Sequence, residues 1–247
     1  MYGFVYLVVL SGIGFLIYSF FIQPAPTCVD QRQNGKETGI DCGGDCVPCE
    51  IQALQPLAIS KPLLFHNQNK IALLAELANT NLAYGSDQIR YRVNVYDQSN
   101  QVVTTFTNAT FIYNGETKVI VETGIENRDN RIVRAEVIIE DTRWKSKSEW
   151  VQPQSTIGRL ETLQQDDTAV IKSTIKNQNS FELPRVALLG IIKDKTGALI
   201  GASKTVLERL MPFEERTFQI FVPLDTTSAT KVSIDPSGTN VVSEVRQ

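Results

Sequence analysis

From Tyr2 to Ile22 the chain runs without a charged residue, and Ser11 and Ser19 are its only clearly polar side chains before Gln23. About 21 residues at a 1.5 Å rise match the ~30 Å hydrocarbon core of a bilayer, so the pattern predicts a transmembrane helix over residues 2–22 with the lipid bilayer as its partner. A buried core helix would carry a polar stripe, which this run lacks. Further along, the period shortens to two. Ile89, Tyr91, Val93 and Val95 alternate with Arg90, Arg92, Asn94 and Tyr96, and Phe218, Ile220 and Val222 alternate late in the chain. That period is the signature of a strand with one buried face. Short polar breakers, Asp97-Gln98-Ser99-Asn100 and Asp194-Lys195-Thr196-Gly197, separate apolar runs as hairpin turns do. Breakers every ~8–12 residues predict an all-β sandwich architecture in place of alternating helices and strands.

The strand pattern occurs twice. Asn79-Thr80-Asn81 can be laid on Asn177-Gln178-Asn179, Asp97 on Asp194, and Val102-Val103 on Leu199-Ile200. The run from Gly115 meets that from Phe213, and the run from Ala135 meets that from Thr230. An offset this steady predicts two copies of one domain of ~95 residues. The expected organisation is an anchor over 2–22, a cysteine-rich module over 27–50, a linker over 51–62, and β-sandwich domains over 63–150 and 151–247.

A net charge of −3 and a pI near 5.4 exclude nonspecific nucleic-acid binding, which needs a basic surface to release counterions. Charge leaves the orientation of the anchor open, because no Lys or Arg precedes it and Arg32 and Lys36 follow at a distance. A cleaved signal peptide is the rival reading, since small residues follow at Gln23 to Thr27. The apolar run exceeds the usual ~7–15-residue core of such a peptide, which favours a retained anchor.

All four cysteines, Cys28, Cys42, Cys46 and Cys49, lie in one Gly-rich segment. Four thiolates can close a zinc site, but paired ligand spacings are the rule there and Cys28 stands alone. Cys46-Val47-Pro48-Cys49 has the spacing of a redox pair without the β-α-β context of one. Two disulfides in an oxidising compartment fit best, with the pairing open among three possibilities. Asp30, Glu37, Asp41 and Asp45 could jointly hold Ca²⁺, but their spacing matches no EF-hand loop and reads as solvated acids. The stretch from Cys28 to Cys49 resembles a C-x-D-x3-N-G-x-E-T-G-x-D-C-G-G-x-C-x2-C module of bacterial surface and secreted proteins. The match includes Asp30, Asn34, Gly35, Glu37, Thr38, Gly39, Asp41, Gly43 and Gly44. This resemblance implies a cysteine-stapled module outside the cytoplasm, and with it a cell-membrane location in which the C-terminal domains lie outside.

The two β copies resemble FxLYD-type immunoglobulin-like domains. Val93-Asn94-Val95-Tyr96-Asp97 is the best local match, Ile191-Ile192-Lys193-Asp194 departs at the aromatic, and Met211 to Phe218 keeps the proline and glutamate. The resemblance implies an immunoglobulin-like fold and says little of function.

Little in the chain points to catalysis. His66 is the one histidine, and no Gly-rich phosphate loop or nucleophile set accompanies it. Asp166-Asp167 and Glu214-Glu215 are adjacent acids whose side chains diverge, unlike a glycosidase pair. Trp144 and Trp150 suit packing at an interdomain seam, and Asn108-Ala109-Thr110 is a glycosylation sequon. A pilin layout is discounted, because Phe4 to Val8 lacks the glutamate of that helix. No catalytic residue, metal site or cofactor is expected. The expected role is noncatalytic binding, adhesion or scaffolding at the cell envelope, with a protein or glycan partner. The alternative is a ligand- or glycan-binding accessory subunit of an envelope enzyme, transporter or sensor complex.

Overall fold

The computed structural model describes residues 2–18, 27–225, 234 and 236–246. The chain divides into two compact units, residues 1–54 and 55–247.

In the first unit, α1 (Tyr2–Ile17) has no acidic residue in its first turn and no basic residue in its last. Its side chains are exposed from Gly3 to Phe15. The anchor expected over 2–22 continues into residues outside the described set, and no described helix is long and apolar enough to cross a membrane. The cysteine segment is held by two disulfides, Cys28–Cys46 and Cys42–Cys49, and closes with the short helix α2 (Cys49–Gln52). About 22 residues cannot build a core, so covalent staples and local hydrogen bonds replace one. The Asp41 carboxylate accepts from the backbone N–H groups of Asp30 and Gln31. Asp30 in turn accepts from the Arg32 N–H and the Asn34 amide. Gly43 stands at φ +79°, and a Cβ there would lie 1.9 Å from Thr38 Oγ1; at Gly44, φ +62°, it would lie 2.1 Å from the Lys36 carbonyl. Only glycine fits both positions.

The second unit is all-β and fully antiparallel. Its first half holds β1 (Ala58–Ile59), β2 (Leu63–Asn67), β3 (Lys70–Ala78), β4 (Tyr84–Asp97), β5 (Val102–Ile112), β6 (Thr117–Glu126) and β7 (Ile132–Ser146). In one sheet β3 lies between β6 and the pair β1 and β2; in the other β4 lies between β5 and β7. The inward phase of the alternation that was legible in β4, Ile89, Tyr91, Val93 and Val95, meets Leu73, Ala75 and Leu77 of β3 in one buried core. The second half repeats this layout with β8 (Ser155–Ile157), β9 (Glu161–Gln165), β10 (Thr168–Asn177), β11 (Leu183–Lys193), β12 (Leu199–Leu210), β13 (Glu215–Pro223) and β14 (Asn240–Arg246). Here β10 is flanked by β13 and by β8 and β9, and β11 by β12 and β14. Its core joins Ala169, Ile171 and Ile175 to Val186, Leu188 and Ile192.

Two sequence expectations shift. The linker expected over 51–62 contributes structure: α2 occupies its start, Ala58–Ile59 pair with Leu77 and Ala78, and Gln55 exchanges two hydrogen bonds with Asn81. The first β half therefore begins at Gln55, because β3 would otherwise leave backbone groups unpaired there. The last repeat landmark also moves. The strand that pairs with β11 as β7 pairs with β4 is Asn240–Arg246, further along than Thr230, and most of residues 230–236 lies outside the described set.

The repeat is written into hydrogen bonds as well as apolar phase. Asn79 and Asn177 are both buried, and each amide bridges three chain segments. Asp97 and Asp194 each cap their hairpin turn by accepting two backbone N–H groups.

Between the halves, the outer face of β2, β3 and β6 packs on the outer face of β11 and β12. Phe65, Ala72, Leu74 and Val121 meet Leu189, Ile191 and Ala202 in a third buried cluster. At the matching positions of the two faces that look outward stand Arg92, Asn94 and Thr105, and Lys172 and Gln219.

Candidate functional site

The richest chemistry lies along the seam between the halves. On β6, Lys118, Ile120 and Glu122 share one phase of the strand, which points toward the first core. Beside the open edge between β5 and β6, the two charged members reach the second half instead. The Glu122 carboxylate, 8% exposed, takes an ion pair from Lys204 Nζ of β12 at 3.0 Å. It also accepts from Asn108 Nδ2 at 2.9 Å and from the Tyr91 hydroxyl. Four residues upstream, Lys118 Nζ, on a side chain 2% exposed, lies 2.9 Å from Glu244 Oε1 of β14 and 3.9 Å from the centre of the Phe111 ring. Tyr113 donates its hydroxyl to the Val245 carbonyl at 2.9 Å. At the opposite end of the seam Asn67 donates to the Asp167 and Leu224 carbonyls.

Burial shifts two groups of this cluster. It pushes the Tyr91 phenol far above its ordinary range, and the adjacent Glu122 charge adds to the effect. It also raises the Glu244 carboxyl, against the opposing pull of Lys118. Opposite charges taken out of water in this way are held in place by their partners, since a lone member would remain buried and unpaired. The residues act as a polar clasp, and neither lysine is placed as a free nucleophile.

Above the clasp opens a cleft of about 570 Å³, lined by Tyr91, Asn108, Phe111, Arg185, Lys204 and Glu244 among others. Apolar walls with a few convergent polar groups are what a small-ligand site requires. Sequence reading missed Lys118, Glu122, Lys204 and Glu244. The signal available was two charged residues in the inward phase of "KVIVE", where an isolated strand should bury only apolar side chains.

The residues singled out beforehand scatter. His66 lies 3.3 Å from Asn127 Nδ2. Glu214 accepts the Met211 N–H and pairs with Arg216, which holds its carboxyl below the ordinary range, while Glu215 lies on β13. Asp166 stands at φ +50° in the β9–β10 turn. The Asn108 amide of the sequon is spent on Glu122. Trp150 packs against Tyr113 with ring centres 4.7 Å apart and fills the space above Gly85, where a Cβ would come within 2.1 Å of it. Trp144 pairs with Ser86 within the β4–β7 sheet. Among the described residues one group of possible metal ligands converges, Cys28, Glu37 and Cys46, and both its sulfurs are joined in a disulfide. Of the acids weighed for Ca²⁺, Asp30 and Asp41 are committed to backbone N–H groups, Glu37 accepts the Asn34 N–H, and Asp45 lies 3.3 Å from Lys36 Nζ.

No family model matches the chain, and no curated protein does. Among solved structures it is similar to the crystal structure of red sea bream transglutaminase, at 12% identity and a TM-score of 0.25. The match covers 77% of this chain and 31% of that one. A likeness that low carries no argument about fold or activity.

Proposed function

We propose that the protein is a membrane-anchored, extracytoplasmic, noncatalytic binding or scaffolding component of the cell envelope. In this reading α1 is part of a lipid anchor, the cysteine segment is a stapled module of the surface-protein type, and each β half is an immunoglobulin-like sandwich of FxLYD kind. The observation that carries it is the seam: an apolar face and a buried ionic clasp join the two β halves into one unit, which suits load-bearing or display better than turnover. Four cysteines paired as disulfides support the oxidising side of a membrane. An apolar helix without a polar stripe supports burial in lipid.

The experiment is thiol accounting in intact cells and spheroplasts with an impermeant maleimide, combined with carbonate extraction and affinity capture from solubilised membranes. Thiols blocked until reduction, retention in the membrane fraction and a stoichiometric envelope partner are expected. Free thiols in a soluble, partnerless protein would sink the reading. The cleft above the clasp favours a second reading, an accessory subunit that binds a small ligand or glycan. A ligand-dependent rise in melting temperature, lost in Lys204→Ala, distinguishes it.

A further inference from the structure

β5 is hydrogen-bonded to β4 along one side, and no described strand pairs with its other side. In an antiparallel ladder that side turns the N–H and C=O groups of every second residue outward. A long bare edge of this kind is a template for another strand, and chains guard such edges with charge, proline or bulges. The opposite edge of the same sheet is guarded, since β7 carries Arg134, Glu136, Glu140 and Asp141. So is the corresponding edge of the second half, where β12 carries Lys204, Glu208 and Arg209. β5 is not. Its 11 residues, VVTTFTNATFI, hold no proline and no glycine, and among the described strands of at least 7 residues it alone holds no charged one. The gap beneath this edge also differs between the halves. In the second, the Asp225 N–H donates to the Ile200 carbonyl, and Gly201 admits Pro223 so closely that a Cβ would lie 2.9 Å from its carbonyl oxygen. In the first, a cleft of about 660 Å³ lies between Val103, Thr104 and Phe106 of β5 and the end of β6.

We propose that the free edge of β5 pairs antiparallel with β5 of a second copy of this chain, joining two β4 sheets into one across a two-fold axis. Outward backbone groups select a strand as the occupant, because only another main chain offers donors and acceptors at their spacing. The missing charge selects the chain's own strand. A two-fold pair sets each residue beside its own kind or a near neighbour, so a charged edge would meet like charge, while β5 meets none. An edge made for a charged strand would carry the complementary charges. An axis normal to the sheet keeps each phase on its own face. The inward residues Thr104, Phe106 and Asn108, opposite Val95, Val93 and Tyr91, thus meet inward residues of the twin, and the half-buried Phe106 gains a cover over the cleft.

The test measures the protein mass of the full chain in mild detergent by light scattering. Wild type is expected at twice the mass of one chain. Thr107 is exposed, and Thr107→Lys should halve that mass, while an equal mixture of Thr107→Lys with Thr107→Glu should restore it. The native cysteines are all in disulfides, so Thr105→Cys, Thr107→Cys and Ala109→Cys each add one free thiol on the outward phase. An axis on one of these residues links that variant to itself on oxidation, and an axis on an inward residue links its two neighbours in a mixture of their variants. A wild type of single mass would overturn the proposal, and so would one that instead captures a strand of another protein. A double mass that persists in Thr107→Lys, with no cross-link from any thiol or mixture, would place the contact elsewhere and overturn it equally. A lysine–glutamate mixture that stays at single mass would assign the loss to damage within the strand.

Discussion

Asn79 and Asn177 do one job at two places in the chain. The Asn79 amide donates to the carbonyls of Tyr84 and Tyr113, and its oxygen accepts the Asn81 N–H. The Asn177 amide donates to the carbonyls of Phe181, Leu210 and Met211, and its oxygen accepts the Asn179 N–H. The second asparagine of each pair then exchanges two bonds with Gln55 or Gln154. Each buried amide ties the entry of a half to two strand ends. Replacing Asn177 by Ala strands several buried polar groups, at a cost of ~1–3 kcal/mol each when unsatisfied. A loss of about 3 kcal/mol in a denaturant titration is expected, and a loss within error of zero would show that water takes the place of the amide.

Phe213 (φ +58°) and Gly115 (φ +64°) make the opposite trade. Phe213→Gly relieves ~1–2 kcal/mol of left-handed strain and adds ~0.5–1 kcal/mol of chain entropy to be lost on folding. The net change is a gain of about 0.5 kcal/mol, read as a higher denaturant midpoint at unchanged slope. Gly115→Ala takes on the strain and brings a Cβ within 3.0 Å of Leu82, so its midpoint should fall.

Removing the Glu122 carboxylate leaves Lys204, Asn108 and Tyr91 without their common acceptor. Glu122→Ala should cost roughly 3–5 kcal/mol, the range for breaking one side of a buried pair. The paired change Glu122→Leu with Lys204→Met should recover much of that loss. A cycle in which the two changes simply add would mean that the pair is solvated.

Acid should loosen the far turn. The Thr196 hydroxyl, followed by backbone N–H groups of Ala198, Thr196 and Gly197, holds the Asp194 carboxyl below its ordinary value. A depressed folded value means that the contribution is complete above the unfolded pKa and is lost as pH falls through the folded one. The stability gap between wild type and Asp194→Asn should therefore narrow as pH falls from above the unfolded pKa through the depressed folded one. A gap independent of pH would assign the turn's stability to backbone geometry alone.

Peptide mapping of the oxidised protein should recover Cys28 joined to Cys46 and Cys42 joined to Cys49. In the chain-entropy model the first, with its 18-residue separation, stabilises the segment by roughly 3 kcal/mol. Gly43→Ala should scramble the pairing, because its Cβ collides with Thr38. Native pairing at normal yield in that variant would mean that the turn has room to shift.

The β class and the inward faces of β4 and β13 were legible because alternation reports burial on a strand directly. The asparagine pairs and aspartate turns were visible as landmarks, yet their meaning was hidden: the partners of Asn177 lie up to 34 residues away. The disulfide pairing was equally out of reach, since spacing alone leaves the three pairings open. The clasp escaped for a related reason. Lys118 and Glu122 break the apolar phase of β6, and what resolves the breach is β12 and β14, which belong to the other β half. The first strand was absorbed into a linker because two residues carry no period.

The seam joins unlike surfaces, the β2–β3–β6 face of one copy to the β11–β12 face of the next. Repeated from molecule to molecule, a join of unlike faces would build a ring or an open filament. What stops it is chemistry at the matching outer positions. Where Leu189, Ile191 and Ala202 make the inner join, the free face offers Arg92, Asn94 and Thr105, and where Leu74 and Val121 stand, it offers Lys172 and Gln219. A third member would have to strip water from charges and amides with no partners to receive them. The polar outer faces thus act as end caps against further stacking of this kind.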